Sequence, residues 1–197
     1  MNDIDFLLKA IELKDENRTG WELRNIENPE SVAGHSWGTA ILTMVHGNKK
    51  EIDVDRCIKM ALIHDLAETE TGDLVTRADS EAQQIDKDHK EELEQAVMEN
   101  LNQKIKGDKI LRIWEEYEKR KTPEAKFVKD MDMIDMCLTA LKYEKQKRYD
   151  PEEDNDNFKE YDNLDEFFAT TEPRLTTEIG KQLFQNIRQR YEQAKEK

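Results

Sequence analysis

The sequence predicts an all-α protein. Glycine and proline are scarce, with seven and four in 197 residues. Long stretches repeat their apolar residues at helical spacing, and no stretch alternates apolar and polar residues as a half-buried strand does. Apolar residues make up 36% of the chain and charged ones 39%, so the core is gathered into segments and the surface is dense in charge. One domain spanning 1–197 is expected.

The elements follow in order. Asp3 to about Lys14 reads as an amphipathic helix with Ile4, Leu7, Leu8 and Ile11 on one side, broken by Asn17-Arg18-Thr19-Gly20. Trp21 to Asn28 reads as irregular chain ending at Pro29. Ser31 is an N-cap signal, and its helix runs to about His46, where Gly47-Asn48 ends it. Its expected core stripe is Ala33, Trp37, Ala40, Ile41 and Met44, with Gly34 admitting a close neighbour beside His35.

Asp53 caps the next helix, expected to run unbroken to about Gly72. Its apolar residues Val54, Cys57, Ile58, Met60, Ala61, Leu62, Ile63, Leu66 and Ala67 surround it, the mark of a buried central helix. Gly72 to Arg77 forms a loop. Ser80 to about Leu101 is a solvated, charged helix, and Asp108 to about Lys119 a shorter one carrying Ile113, Trp114 and Tyr117. Thr122-Pro123 starts a helix to about Arg148. On it Val128, Asp132, Asp135, Met136 and Thr139 share one side. Residues 150–162 form an acidic loop, Leu164 to Phe168 a turn or two of helix, and Thr176 onward a closing helix with Ile179, Leu183, Ile187 and Tyr191.

The net charge of −14 argues against nucleic acid or anionic membrane as a partner, since both need a basic face. It leaves room for a small phosphorylated ligand held by local cations. Cys57 and Cys137 lack CxxC spacing and read as buried thiols in a reducing compartment. With no signal peptide and no apolar run long enough to span a bilayer, the expected location is cytoplasmic.

Chemistry is sought among polar residues the core must accommodate. A buried Asp65 without a partner is unfavourable by several kcal/mol, so an Arg, a Lys or a metal ion belongs beside it. His35, His64, Asp65 and Asp132, with Asp135 as a possible supporting acceptor, form a plausible ligand set from three helices. His64 and Asp65 point about 100° apart and can reach one ion. Mixed nitrogen and oxygen donors suit Mn²⁺, Co²⁺ or Fe²⁺ better than Mg²⁺. Each residue also has an ordinary reading: His35 as a helix-start packing residue, Asp132 as solvent-facing. His46 and His89 fall beside none of the others.

Arg18-Thr19-Gly20-Trp21, Arg24-Asn25, Glu30 to His35, His64-Asp65-Leu66-Ala67-Glu68, Gly72-Asp73 and Lys129-Asp130-Met131-Asp132 occur in that order. The set resembles the HD-domain phosphohydrolase superfamily, and within it the 5′-deoxynucleotidase group, over about residues 5–145. The resemblance implies an HD-fold helical bundle, with His35, His64, Asp65 and Asp132 as metal ligands. It implies that Glu68 positions or activates the attacking water and that Asp73 contacts substrate and assists the leaving group. Arg18 would orient the phosphate, with Trp21 and Thr76 as further substrate contacts. It implies one divalent metal per chain, Mn²⁺ or Co²⁺ foremost and Fe²⁺, Mg²⁺ or Zn²⁺ otherwise, and a homodimer.

The expected activity is hydrolysis of deoxyribonucleoside 5′-monophosphates to nucleoside and phosphate. The alternatives are an HD phosphohydrolase acting on another nucleotide or phosphoester, and a non-catalytic nucleotide-binding protein. Glu68 and Asp73, present beside a full ligand set, speak against the last. A two-iron oxygen chemistry needs further histidines between Asp65 and Asp132, where the chain offers only His89.

Overall fold

A computed structural model of the chain describes residues 3–48, 51–78, 85–158 and 160–196. Ten α-helices are described: α1 (Asp3–Glu12), α2 (Thr19–Leu23), α3 (Val32–His46), α4 (Val54–Ile63), α5 (Glu68–Thr71), α6 (Lys87–Gln103), α7 (Lys109–Lys119), α8 (Pro123–Gln146), α9 (Asp165–Thr171) and α10 (Glu178–Lys195). Among the described residues there is no strand; Asn17 and Ser31 form one isolated antiparallel bridge. No described helix is long and apolar enough to cross a membrane. The expected start of the charged helix, residues 80–84, lies outside the described residues; α6 itself begins after Asp86, whose side chain accepts from His89 N.

The expected caps are in place. Ser31, Asp53 and Thr122 each accept a hydrogen bond from the backbone three residues on, at Gly34, Arg56 and Ala125. Each satisfies an otherwise orphaned N–H and fixes where its helix begins.

Four expectations change. The stretch from Trp21, read as irregular chain, begins inside the helix α2, which runs to Leu23. The helix from Asp53 does not run unbroken. It stops at Ile63, passes through a turn over residues 64–67 and resumes as α5. Through this turn the backbone bonds tighten to three-residue spacing, at Leu66 to Ile63 and Glu68 to Asp65, and Asp65 accepts from Arg18. Nor is this segment the central helix, since Leu62 is 51% exposed. That place belongs to α8, with 15 of its 24 residues buried and packing against α3, α4, α7, α9 and α10.

The apolar rows on α1 and α3 also face outward. Ile4, Leu7, Leu8 and Ile11 are exposed, as are Trp37, Ile41 and Met44, while Phe6 and Leu13 carry the buried side of the first segment. The buried face of α3 is His35, Ser36, Thr39, Ala40 and Thr43. The reason is steric and visible at Gly38. A Cβ there would lie 2.1 Å from Asp135 Oδ1, whereas at Gly34 it would meet nothing closer than 3.5 Å. Gly38, not Gly34, is therefore the close-approach glycine, and a large side chain at that point of the α3–α8 seam would meet Asp135. At the other side of α8, Gly180 brings α10 equally near: a Cβ would stand 2.4 Å from Asp130 Oδ2.

Gly38→Ala is expected to lower stability by about 1–3 kcal/mol through overpacking, against no loss, or a gain of up to about 1 kcal/mol, for Gly34→Ala. Thermal denaturation of the two variants checks this; equal melting temperatures would remove the steric account of the seam.

Candidate metal centre

His35 is positioned by the first turn of α3, His64 and Asp65 by the turn that follows α4, and Asp132 by the middle of α8. His35 Nε2, His64 Nε2 and Asp132 Oδ1 lie within 4.8 Å of one another. The two imidazole nitrogens are 3.3 Å apart and His35 Nε2 is 3.1 Å from Asp132 Oδ1. Asp65 Oδ2 is 3.2 Å from His64 Nε2 and 3.7 Å from His35 Nε2. The four sequence candidates thus come together.

The other ring nitrogens decide what these atoms are. His64 Nδ1 lies 2.7 Å from the Ala61 carbonyl, an acceptor only, so Nδ1 donates and Nε2 keeps its lone pair. His35 Nδ1 lies 2.8 Å from Asp135 Oδ2 and donates likewise. Two imidazole lone pairs and two carboxylates then face one another in the protein interior, a set only a cation satisfies. The donor types fit a divalent transition metal. Without one, a proton does part of the work. Burial and the Arg18 guanidinium push His35 down, but its bonds to Asp132 and Asp135 more than offset them, and its pKa is pushed up to about 10.

Both aspartates are held ionised. Burial opposes ionisation of Asp132, but the Lys129 ammonium, the His35 bond and His64 hold it well below the usual range. Its Oδ2 accepts from Tyr117 Oη at 2.6 Å and Lys129 Nζ at 2.7 Å, leaving Oδ1 toward the histidines. For Asp65, burial is likewise outweighed, by His64, Arg18 and His35.

A cavity opens on this cluster. Asp65 and Asp132 form part of its floor, and Arg18, Trp21, Glu68, Asp73 and Thr76 all line it. Arg18 lies 3.2 Å from Asp65 Oδ2 and 3.6 Å from Asp73 Oδ1. Asp73 Oδ2 accepts from Thr19 N at 2.7 Å, which ties the loop after α5 to the start of α2. Glu68 is buried and its Oε2 has no hydrogen-bond partner among the described residues. Burial first, then the Asp65 and Asp73 carboxylates, hold it well above the ordinary range for a glutamate. Trp21 forms an apolar wall, its ring 4.0 Å from that of Phe167 and its Nε1 donating to Glu30 Oε1 at 3.1 Å. Arg24 is elsewhere, donating to the Asn163 carbonyl. His46 and His89 take no part in the cluster.

Sequence reasoning gave no role to Lys129, Tyr117, Lys90 or Phe167. Lys129 was findable: it stands one helical turn before Asp132 on the same side. Tyr117 and Phe167 carried no signal beyond apolar spacing, because their approach depends on how α7 and α9 pack on α8.

Three comparisons bear on the site. Residues 10–172 match the family described as HD domain. The chain is 40% identical to the 5′-deoxynucleotidase of Xenopus laevis, over 72% of this chain and 69% of that one. It is 35% identical to a 5′-deoxynucleotidase of Schizosaccharomyces pombe, over 79% and 78% of the two. Among solved structures, a conserved hypothetical protein of Pyrococcus furiosus superposes with a TM-score of 0.73 at 32% identity, covering 94% of this chain and 99% of that one.

Asp135→Asn keeps the shape of the His35 partner and removes its charge. It is expected to weaken Mn²⁺ binding about 10–100-fold, read by calorimetric titration; unchanged affinity would mean that Asp135 does not govern His35.

Proposed function

Because this chain belongs to the HD domain family, we propose that it is a metal-dependent phosphohydrolase that converts deoxyribonucleoside 5′-monophosphates to nucleoside and phosphate. The observation that carries the reading is the convergence of His35, His64, Asp65 and Asp132 beneath a cavity lined by Arg18, Glu68 and Asp73. The similarity to 5′-deoxynucleotidases supports the substrate class. The mixed donor set favours Mn²⁺ or Co²⁺ over Mg²⁺.

A divalent ion held by these four residues would polarise the phosphoryl group and ease deprotonation of the attacking water. The chain's own residues do the rest. Arg18, anchored between Asp65 and Asp73, presents fixed positive charge to the phosphate oxygens. Glu68 orients the water and takes its proton as the oxygen–phosphorus bond forms. The bond from phosphorus to the 5′ oxygen breaks in line, and the proton that Glu68 took up becomes available to that oxygen, which Asp73 contacts. Trp21 and Phe167 offer a flat apolar wall to the sugar or base, and Thr76 lies at the rim. Most of the acceleration would come from placement and charge complementarity.

The exposed rows Leu7, Leu8 and Ile11 on α1 and Trp37, Met44 and Val45 on α3 support a homodimer, since such apolar area on a lone chain is unfavourable in water. The reading also places the enzyme in the cytoplasm, with a small nucleotide and not a nucleic acid as its partner, in keeping with the charge of −14.

With Mn²⁺ or Co²⁺ added, phosphate release from dAMP, dCMP, dGMP or TMP is expected. Glu68→Gln should reduce kcat by about 10²–10⁴-fold, and Asp65→Ala should abolish turnover. Release from none of the four would sink the substrate assignment, and full activity in Asp65→Ala would sink the site. Sedimentation equilibrium should give twice the chain mass, and Trp37→Glu should shift it toward one chain; a wild-type monomer at micromolar concentration would refute the dimer.

A further inference from the structure

We propose that Arg174, carried by the segment between α9 and α10, binds a phosphate oxygen of the substrate from the Asp132 side of the cavity. The proposal rests on the phosphohydrolase reading above and adds a residue to it. Arg174 stands beyond the span that matches the family, residues 10–172.

The placement of this residue is built into the fold. Asp130 is fully buried on α8 and its carboxylate gathers the start of the last helix. It accepts from Thr176 N at 3.1 Å, Thr177 N at 2.7 Å and the two threonine hydroxyls at 3.3 and 2.6 Å. Gly180 lets that helix come this close. The strap so fixed is pinned one residue from Lys129 and two from Asp132. Pro173 stiffens it just before Arg174.

The surroundings of Arg174 call for an anion. It lines the main cavity beside Arg18, Asp65 and Asp132, and with Lys129 it lines two neighbouring recesses. Arg120 lines both recesses too, and its buried Nε has no hydrogen-bond partner among the described residues. Arg174 itself makes no hydrogen bond or ion pair within the described residues. Lys129, Arg120 and Arg174 share these recesses; Asp132 Oδ2 is taken by Tyr117 and Lys129, and Glu118 Oε2 stands 3.9 Å from Arg120, which leaves Arg174 without an ion-pair partner among the described residues. A phosphate dianion entering beside Asp132 supplies Arg174 with the acceptor that the described residues do not. Arg18 would then hold the phosphate from the Asp65 side and Arg174 from the Asp132 side, as paired cations grip phosphoryl oxygens.

The probe is inorganic phosphate, titrated calorimetrically into the Mn²⁺-loaded wild type, Arg174→Ala and Arg174→Lys, with deoxynucleoside titrated in parallel. Loss of one charge-assisted contact is expected to weaken phosphate binding about ten-fold or more in Arg174→Ala. Lysine should restore part of the loss, and deoxynucleoside affinity should not change. In turnover of dAMP, KM should rise more than kcat falls. Arg174→Gln serves the same comparison if the alanine variant does not fold. Equal phosphate affinity in wild type and variant would overturn the proposal, as would equal loss for phosphate and deoxynucleoside, or a wild type that binds no phosphate. A wild type that binds phosphate through Arg174 yet turns over no nucleotide would overturn the nucleotidase reading and leave the anion contact standing.

Discussion

The arrangement depends on electron pairs that must be kept apart by positive charge. His35 and His64 turn their Nε2 atoms toward Asp65 and Asp132 inside the bundle. Left alone, such a group would repel itself or draw in water. Around it the chain has placed a ring of fixed groups: Asp135 and the Ala61 carbonyl behind the imidazoles, Arg18 beside Asp65, Lys129 and Tyr117 beside Asp132. Each orients one donor and compensates part of its charge. A divalent ion among these atoms would satisfy the donors together, and the packing of α3, α4 and α8 is what brings them within reach of one another.

The helical class, the caps at Ser31, Asp53 and Thr122 and the four converging side chains were all legible in the sequence, because each rests on local spacing or on an ordered motif. What escaped was of two kinds. The outer side of α3 was misassigned for Trp37, Ile41 and Met44, while Ala40 is buried as expected, since periodicity finds an apolar face but cannot tell which part of it meets the core. Here the seam with α8 is lined by Gly38, Ser36, Thr39, Ala40 and Thr43 with His35 bonded across it, and the large apolar side chains were left outside. The break after Ile63 escaped as well. No proline or glycine marks it; the chain turns where His64 and Asp65 engage partners far away in sequence, and tertiary contacts override helix propensity there.

Lys129 and Arg174 differ in the same way. Lys129 sits at helical spacing from Asp132, so position alone brings the two together. Arg174 reaches its place only through the hold of Asp130 on Thr176 and Thr177, a long-range event with no periodic trace. Side chains that act through regular elements can be found by counting; those delivered by a strap require the coordinates.

His35 and Asp135 touch across one hundred residues of chain. A polypeptide growing from its amino end carries His35, His64 and Asp65 long before α8 emerges, but it lacks the walls that bury them. The enclosure around His35, His64 and Asp65 is therefore completed only when the middle of α8 docks on α3. A nascent or truncated chain has these three side chains without the wall that gathers them, so the cluster and the finished core arrive in the same event.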